Sequence, residues 1–178
     1  MSRPTTPVVV RDATVQDLAA MAAIYDEEVR TSVATFDTEP RGAAYLADKL
    51  AAAGGGDIVL VAVRGDVVLG YAYSSPFRPR PAYAGTKEVS VYLASHARGL
   101  GVGTRLYEVL LGRLDAREDV HTEVAVVALP NEASEALHRR SGFRRVGVLE
   151  EVGFKLGRYV DTAWYQRRRQ PVDFTGVS

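Results

Sequence analysis

The sequence predicts a mixed α/β fold. Three observations carry that reading. Seven short apolar or alternating stretches and four helical stretches follow in the order strand, two helices, three strands, helix, strand, helix, two strands. The chain is 178 residues long, the length of one domain of about 100–200 residues. Its composition, 47% hydrophobic and 25% charged, is that of an ordinary globular chain with enough apolar surface to form a core.

The elements follow in order. Val8 to Arg11 is a β-branched stretch. Thr14-Val15-Gln16-Asp17 places a hydroxyl three residues before a carboxylate, the pattern of a capping box. From Asp17 to about Arg30, Leu18, Met21, Ala22, Tyr25 and Val29 recur at helical spacing. A polar loop follows to Pro40, in which Phe36 is bulky for an exposed position. Gly42 to Ala53 reads as a second helix, stopped by Gly54-Gly55-Gly56.

Ile58 to Val63 and Val67 to Tyr73 form a hairpin pattern around Arg64-Gly65-Asp66, and their continuous hydrophobicity predicts burial on both faces. Ser75 to Gly85 carries three prolines and two arginines and reads as a restrained loop. Glu88 to Leu93 alternates as a strand, Leu100 to about Arg117 is helical, and Glu123 to Leu129 is a strand. Glu132 to Arg140 is helical, and Phe143 to Leu149 and Phe154 to Trp164 are the last two strands. No repeat or internal linker interrupts the series, so a single domain over residues 1–178 is expected, with a core of 8–166 and a loose tail from Arg167.

Charge and cysteine content narrow the functions. Twenty-two basic and 22 acidic residues balance to zero, which argues against a general nucleic-acid or membrane-surface binder, since those roles draw on basic excess. The chain has no cysteine, so disulfides, thiolate metal sites and a cysteine nucleophile are excluded. His96, His121 and His138 have no close metal spacing, and no metal is expected. No apolar run approaches a membrane span and no signal-peptide pattern opens the chain, so a cytoplasmic location is expected.

The most informative spacing is Arg98-Gly99-Leu100-Gly101-Val102-Gly103-Thr104, between a strand and a helix. Glycines there let successive amides converge on an anion, and the helix N-terminus adds donors and partial positive charge. Its glycine spacing is neither that of a Walker loop nor that of a dinucleotide fingerprint. By itself the pattern fits a pyrophosphate cradle or a tight turn that merely starts a helix.

This run is similar to the acyl-coenzyme A motif of the GNAT acyltransferase superfamily. The element order, Asn131-Glu132-Ala133-Ser134 and Ser141-Gly142-Phe143 agree with it. Further blocks resemble a narrower group, the phosphinothricin and methionine sulfone/sulfoximine N-acetyltransferases: Thr35 to Pro40, Gly70 to Tyr73, Pro76-Phe77-Arg78 with Arg80, Ala82 and Tyr83, Glu88 to Tyr92, Leu137-His138, and Gly153 to Asp161. They span roughly Val8 to Tyr165.

The resemblance implies a sheet splayed between its fourth and fifth strands and direct transfer of acetyl from acetyl-coenzyme A to a small amine in a ternary complex. It implies cofactor contacts from Val91, Tyr92 and Leu93, from Arg98 to Thr104, and from Asn131 and Ser134. It makes Glu88 the general base and gives His138 a proton-transfer role. Phe36, Arg78, Arg80, Tyr83 and Tyr92 become substrate-binding residues, and a homodimer is implied. Without the resemblance, Glu88 reads as a strand-end carboxylate, His138 as a structural residue, and Arg78 and Arg80 as a solvated basic turn. One departure stands out: where the group carries Trp in Ala-Tyr-x-Trp-Thr-x-Glu, this chain has Gly85. Acetylation of another amine, a polyamine or protein N-terminus, and a non-catalytic coenzyme A module are the competing readings.

Overall fold

The computed structural model describes residues 6–169. One seven-stranded sheet runs through them in the order β1-β2-β3-β4-β5-β7-β6. Its strands are β1 (Val9–Asp12), β2 (Val59–Arg64), β3 (Val67–Pro76), β4 (Thr86–Leu93), β5 (Thr122–Ala128), β6 (Arg144–Lys155) and β7 (Arg158–Arg168). The helices are α1 (Leu18–Thr31), α2 (Gly42–Ala51), α3 (Val102–Asp115) and α4 (Glu132–Arg140). All neighbouring strands are antiparallel except β4 and β5, which run parallel.

That parallel pair is short, joining Thr86–Glu88 to Thr122–Val124 and ending there. Beyond Glu88, β4 stays paired with β3 as far as Leu93, and β5 stays paired with β7 as far as Ala128. The sheet therefore opens into a V whose vertex is the Glu88–Val124 pair.

Alternation along β4 separates the helices. Tyr92 meets Tyr25 of α1 edge-on at 5.1 Å, whereas the adjacent Leu93 lies against Gly103 of α3, with Leu137 of α4 beside it. So α1 packs on one face, and α3 with α4 on the other. Leu106, Leu110 and Leu114 of α3, Met21 of α1 and Leu46 of α2 are fully or almost fully buried, each contributing about 1.5–3 kcal/mol of burial. The middle of β2 and β3 is buried on both faces, as their continuous hydrophobicity predicts. The Thr14–Asp17 cap forms, with Asp17 Oδ2 accepting from the Thr14 amide at 2.8 Å and its hydroxyl at 2.9 Å.

The sequence reading needs correction at the C-terminal end. The expected break between Leu149 and Phe154 is a bulged continuation of β6, with Glu151 at φ +50° and its amide donating to Asp161 Oδ1 at 2.8 Å. Phe154 belongs to β6, and the hairpin turn is Leu156-Gly157, both at positive φ. Arg167 and Arg168, expected in a loose tail, finish β7. Arg167 is held by Asp115 at 2.5 Å and by the buried Glu123 at 3.2 Å, contacts that no local pattern announces. Arg169, next in the expected tail, is also held, its amide donating to the His121 carbonyl at 3.0 Å, and residues 170–178 lie outside the described residues.

Candidate active site

The open V leads into a cavity of about 580 Å³. Val91, Tyr92 and Leu93 form its β4 wall, and Arg98, Gly99, Gly101, Val102, Gly103 and Thr104 its floor. Asn131 and Ser134 close it from the start of α4. Gly99 and Gly101 adopt φ of +75° and +76°, and no atom lies within 4 Å of where a Cβ would project from either. Gly101 caps α3, so the helix's unpaired amides face this space. Asn131 caps α4 in turn, its Oδ1 accepting from the Ser134 amide at 3.1 Å.

Of the expected cofactor contacts, Leu100 is 57% exposed and is not among the cavity-lining residues. The two glycines beside it turn the backbone inward, and its side chain points outward.

Sequence reasoning missed the opposite wall, formed by Glu28, Ser32, Val33 and Ala34 from the end of α1. Glu28 is buried, pairs with Arg98 and accepts from the Ser32 hydroxyl at 2.5 Å. A carboxylate on helix α1 carries no local sign that it will meet a glycine loop 70 residues later.

Glu88 stands at the vertex of the V, half-buried, opposite Ser75. Alternation puts it on the same face as Ser90 and Tyr92, and hence on the α1 side. Burial pushes its carboxyl above the ordinary glutamate value, while the charges of Arg78 and Lys49 pull it back down. Arg78 lies over the Phe77 ring at 4.6 Å, and Phe77 meets Tyr83 and Trp164 edge-on at 5.5 and 6.5 Å. Trp164, which the strand alternation suggests as a sheet-core or interface residue, is half-buried on β7.

Other expected substrate contacts are placed differently. Arg80 is exposed at the start of the short turn Pro81–Tyr83. Phe36 lies against Gly153 of β6 and is not among the cavity-lining residues. At Gly85 a Cβ would meet the Asp119 carbonyl at 3.5 Å, ordinary contact distance. The backbone there does not demand glycine.

His138 is 3% exposed and does not line the cavity. Its Nδ1 donates to the Ser134 carbonyl at 2.8 Å, so Nε2 is free to accept from the Tyr107 hydroxyl at 3.0 Å. Tyr107, Phe143 and Tyr165 surround the ring at 5.3–5.4 Å. Burial drives its pKa below the ordinary histidine value. The geometry thus sets His138 one layer behind Ser134, whose hydroxyl is 3.4 Å from Nδ1.

Glu88 stands at the vertex and does not itself line the cavity, whose cradle of backbone amides and open strand edge suit a long phosphate-bearing ligand with a reactive end. The open faces of Gly99 and Gly101, with Arg98 beside them, fit the pyrophosphate of coenzyme A. Fold and cavity define an acyl-coenzyme A-dependent transferase. Residues 10–164 match the sequence profile of the Acetyltransferase (GNAT) domain, and the chain belongs to that family.

The chain is 44% identical over 167 residues to a phosphinothricin N-acetyltransferase of Streptomyces coelicolor, covering 92% of this chain and 97% of that one. It is 36% identical to an L-methionine sulfoximine/L-methionine sulfone acetyltransferase of Pseudomonas aeruginosa, covering 91% and 95%. A crystal structure of a phosphinothricin acetyltransferase from Sinorhizobium meliloti in complex with acetyl-coenzyme A superimposes with a TM-score of 0.86 at 38% identity, over 91% and 88% of the two chains. The chain is a GNAT N-acetyltransferase that uses acetyl-coenzyme A.

Among the described residues, no helix is long and apolar enough to cross a membrane, and no group of three or more His, Cys, Asp or Glu side chains is arranged to hold a metal.

Proposed function

We propose that this single-domain enzyme acetylates the amine of a small anionic amino-acid-like compound of the phosphinothricin, methionine sulfoximine or methionine sulfone type. The observation that carries the reading is Glu88 at the vertex of the V, half-buried and with Arg78 acting on it. The names of the relatives at 44% and 36% identity support the substrate class.

Acetyl-coenzyme A supplies an acetyl group activated as a thioester. The amides around Gly99 and Gly101 and the N-terminus of α3 hold the phosphates and fix the direction in which the cofactor lies. Arg98 and Thr104 add side-chain donors, and Asn131 and Ser134 border the other side. Glu88 takes a proton from the substrate ammonium, and burial makes this carboxylate a better base. The freed amine attacks the acetyl carbon directly: the C–N bond forms, the C–S bond breaks, and the proton that the acylated nitrogen sheds is taken up by the departing coenzyme A thiolate, which leaves as the free thiol. The chain has no cysteine to carry the acetyl group between them.

His138 is a positioning residue. It fixes the Ser134 carbonyl and, through it, the cavity wall at the start of α4. Arg78, with Tyr83 against the same Phe77 ring, receives the substrate's polar groups, Tyr92 offers its contact from the cavity wall further along β4, and Arg80 adds to the positive field of the loop.

The enzyme acts as a homodimer. β6 is an edge strand, and Val146, Val148, Val152 and Phe154 are exposed along it, the kind of apolar edge that a second copy covers. A cytoplasmic location, where acetyl-coenzyme A is available, completes the reading.

The test is thiol release from acetyl-coenzyme A across a panel of phosphinothricin, methionine sulfoximine, methionine sulfone, a polyamine and an N-terminal peptide. Release with one of the first three, abolished in Glu88→Gln, supports the proposal. Release only with the polyamine or the peptide overturns it, as does release with none.

A further inference from the structure

Lys49, near the end of α2, is half-buried with its Nζ 4.3 Å from the centre of the Tyr73 ring and 5.0 Å from that of Tyr45. A lysine at a helix end ordinarily extends into water or toward a carboxylate. This one lies over two phenol rings, and among the described residues no carboxylate comes within ion-pair distance of it. The rings hold an ammonium without neutralising it.

The sheet register places this cation beside the base. Tyr73 pairs with Ser90 and Ser75 pairs with Glu88, so Tyr73 and Glu88 share a face, one strand and one alternation apart. No ion pair joins Lys49 to Glu88 among the described residues, yet the lysine's charge reaches the carboxylate. An anion and an unpaired cation acting on one face of the sheet suit a group carrying both charges. An α-amino acid is such a group: its ammonium faces Glu88 and its carboxylate faces the cation.

We propose that Lys49 is a specificity-determining residue that receives the α-carboxylate of the substrate, leaving Arg78 to the phosphinate, sulfone or sulfoximine end. The inference rests on the amino-acid reading above and deepens it. Arg78 comes from the loop after β3 and Lys49 from α2, so the two cations whose charges act on Glu88 reach the substrate from separate segments. An amine without the carboxylate leaves the ammonium of Lys49 unanswered, and a site built around a charge-assisted contact rejects the analogue that lacks it.

The experiment compares methionine sulfone with its carboxamide in the wild-type chain, Lys49→Met and Lys49→Arg. The wild type prefers the acid, and Lys49→Met reduces the acid-to-amide ratio of kcat/KM by about 10–100-fold, with the effect in KM for the acid. Lys49→Arg keeps most of the preference. An unchanged ratio in Lys49→Met overturns the assignment. So does a loss confined to kcat together with a displaced acid limb, which would mean that Lys49 only tunes Glu88. A wild type that acetylates methionine sulfone and its carboxamide equally defeats the assignment while leaving the amino-acid-like reading intact. Failure of the wild type on every amino-acid analogue defeats both.

Discussion

Phe36 and Gly153 share one space: a Cβ added at Gly153 would sit 2.3 Å from Cε2 of Phe36. The loop after α1 is thereby pressed onto β6. Polar contacts hold it there. Buried Lys155, two residues further along β6, donates to the Thr35 carbonyl at 2.7 Å, and the Tyr25 hydroxyl contacts Thr35 Oγ1 at 2.7 Å and donates to Asp37 Oδ2 at 2.6 Å. The same loop begins with Ser32, Val33 and Ala34 in the cavity wall.

Gly153→Ala forces the Phe36 ring to move and lowers stability by about 1–3 kcal/mol, the usual range for overpacking. In a Phe36→Ala background the same change is nearly neutral. Urea denaturation of the four chains of this cycle measures the coupling.

Arg98 neutralises buried Glu28 at the place where phosphates are to lie. Arg98→Ala therefore removes a donor and also exposes the cofactor to an uncompensated carboxylate. We expect acetyl-coenzyme A to bind about 10–100-fold more weakly, the effect of losing a charged hydrogen bond of about 1.5–3 kcal/mol. Adding Glu28→Gln restores part of the loss. Calorimetric titration of the single and double variants reads both effects.

Glu88→Gln lowers kcat by about 10²–10⁴-fold, the span typical of a positioned general base. In the wild type the base must be ionised, so activity rises with pH through its pKa. Burial places that inflection above the ordinary glutamate value. Arg78→Ala removes a charge that favours the ionised form, so the acid limb of the kcat/KM profile moves to higher pH.

His138 is held neutral by burial in the folded chain. Its folded pKa is depressed, so the unfolded chain binds the extra proton first. Stability is fully present above about 6.5, the value histidine takes on unfolding, and is lost as pH falls from there toward the lower folded value. His138→Gln flattens this part of the profile. Urea midpoints at pH 7.5 and 5.5 check it, with the wild type losing more than the variant.

The legible parts of this molecule were those with local signals. The capping pair Thr14–Asp17, the Arg64-Gly65-Asp66 hairpin and the glycine run before α3 each lie within a few residues, and each forms where it was read. The cavity's glycine floor and β4 wall were legible for the same reason. Glu28 and Lys49 were not, because their importance comes from partners brought together only by the sheet order. His138 shows the converse. Its identity suggests chemistry, and only the packing of Tyr107, Phe143 and Tyr165 around it shows how enclosed it is.

The glycine floor has a consequence for how such an enzyme changes over time. In the proposed reading Gly99 and Gly101, both at positive φ, serve the coenzyme through main-chain amides, so that half of the specificity is written in backbone angles and tolerates drift in most neighbouring side chains. The other half is assigned to side chains from α2 and the loop after β3, segments that lie outside the sheet. New amines can be recruited by exchanging a few tips while the acetyl donor stays fixed.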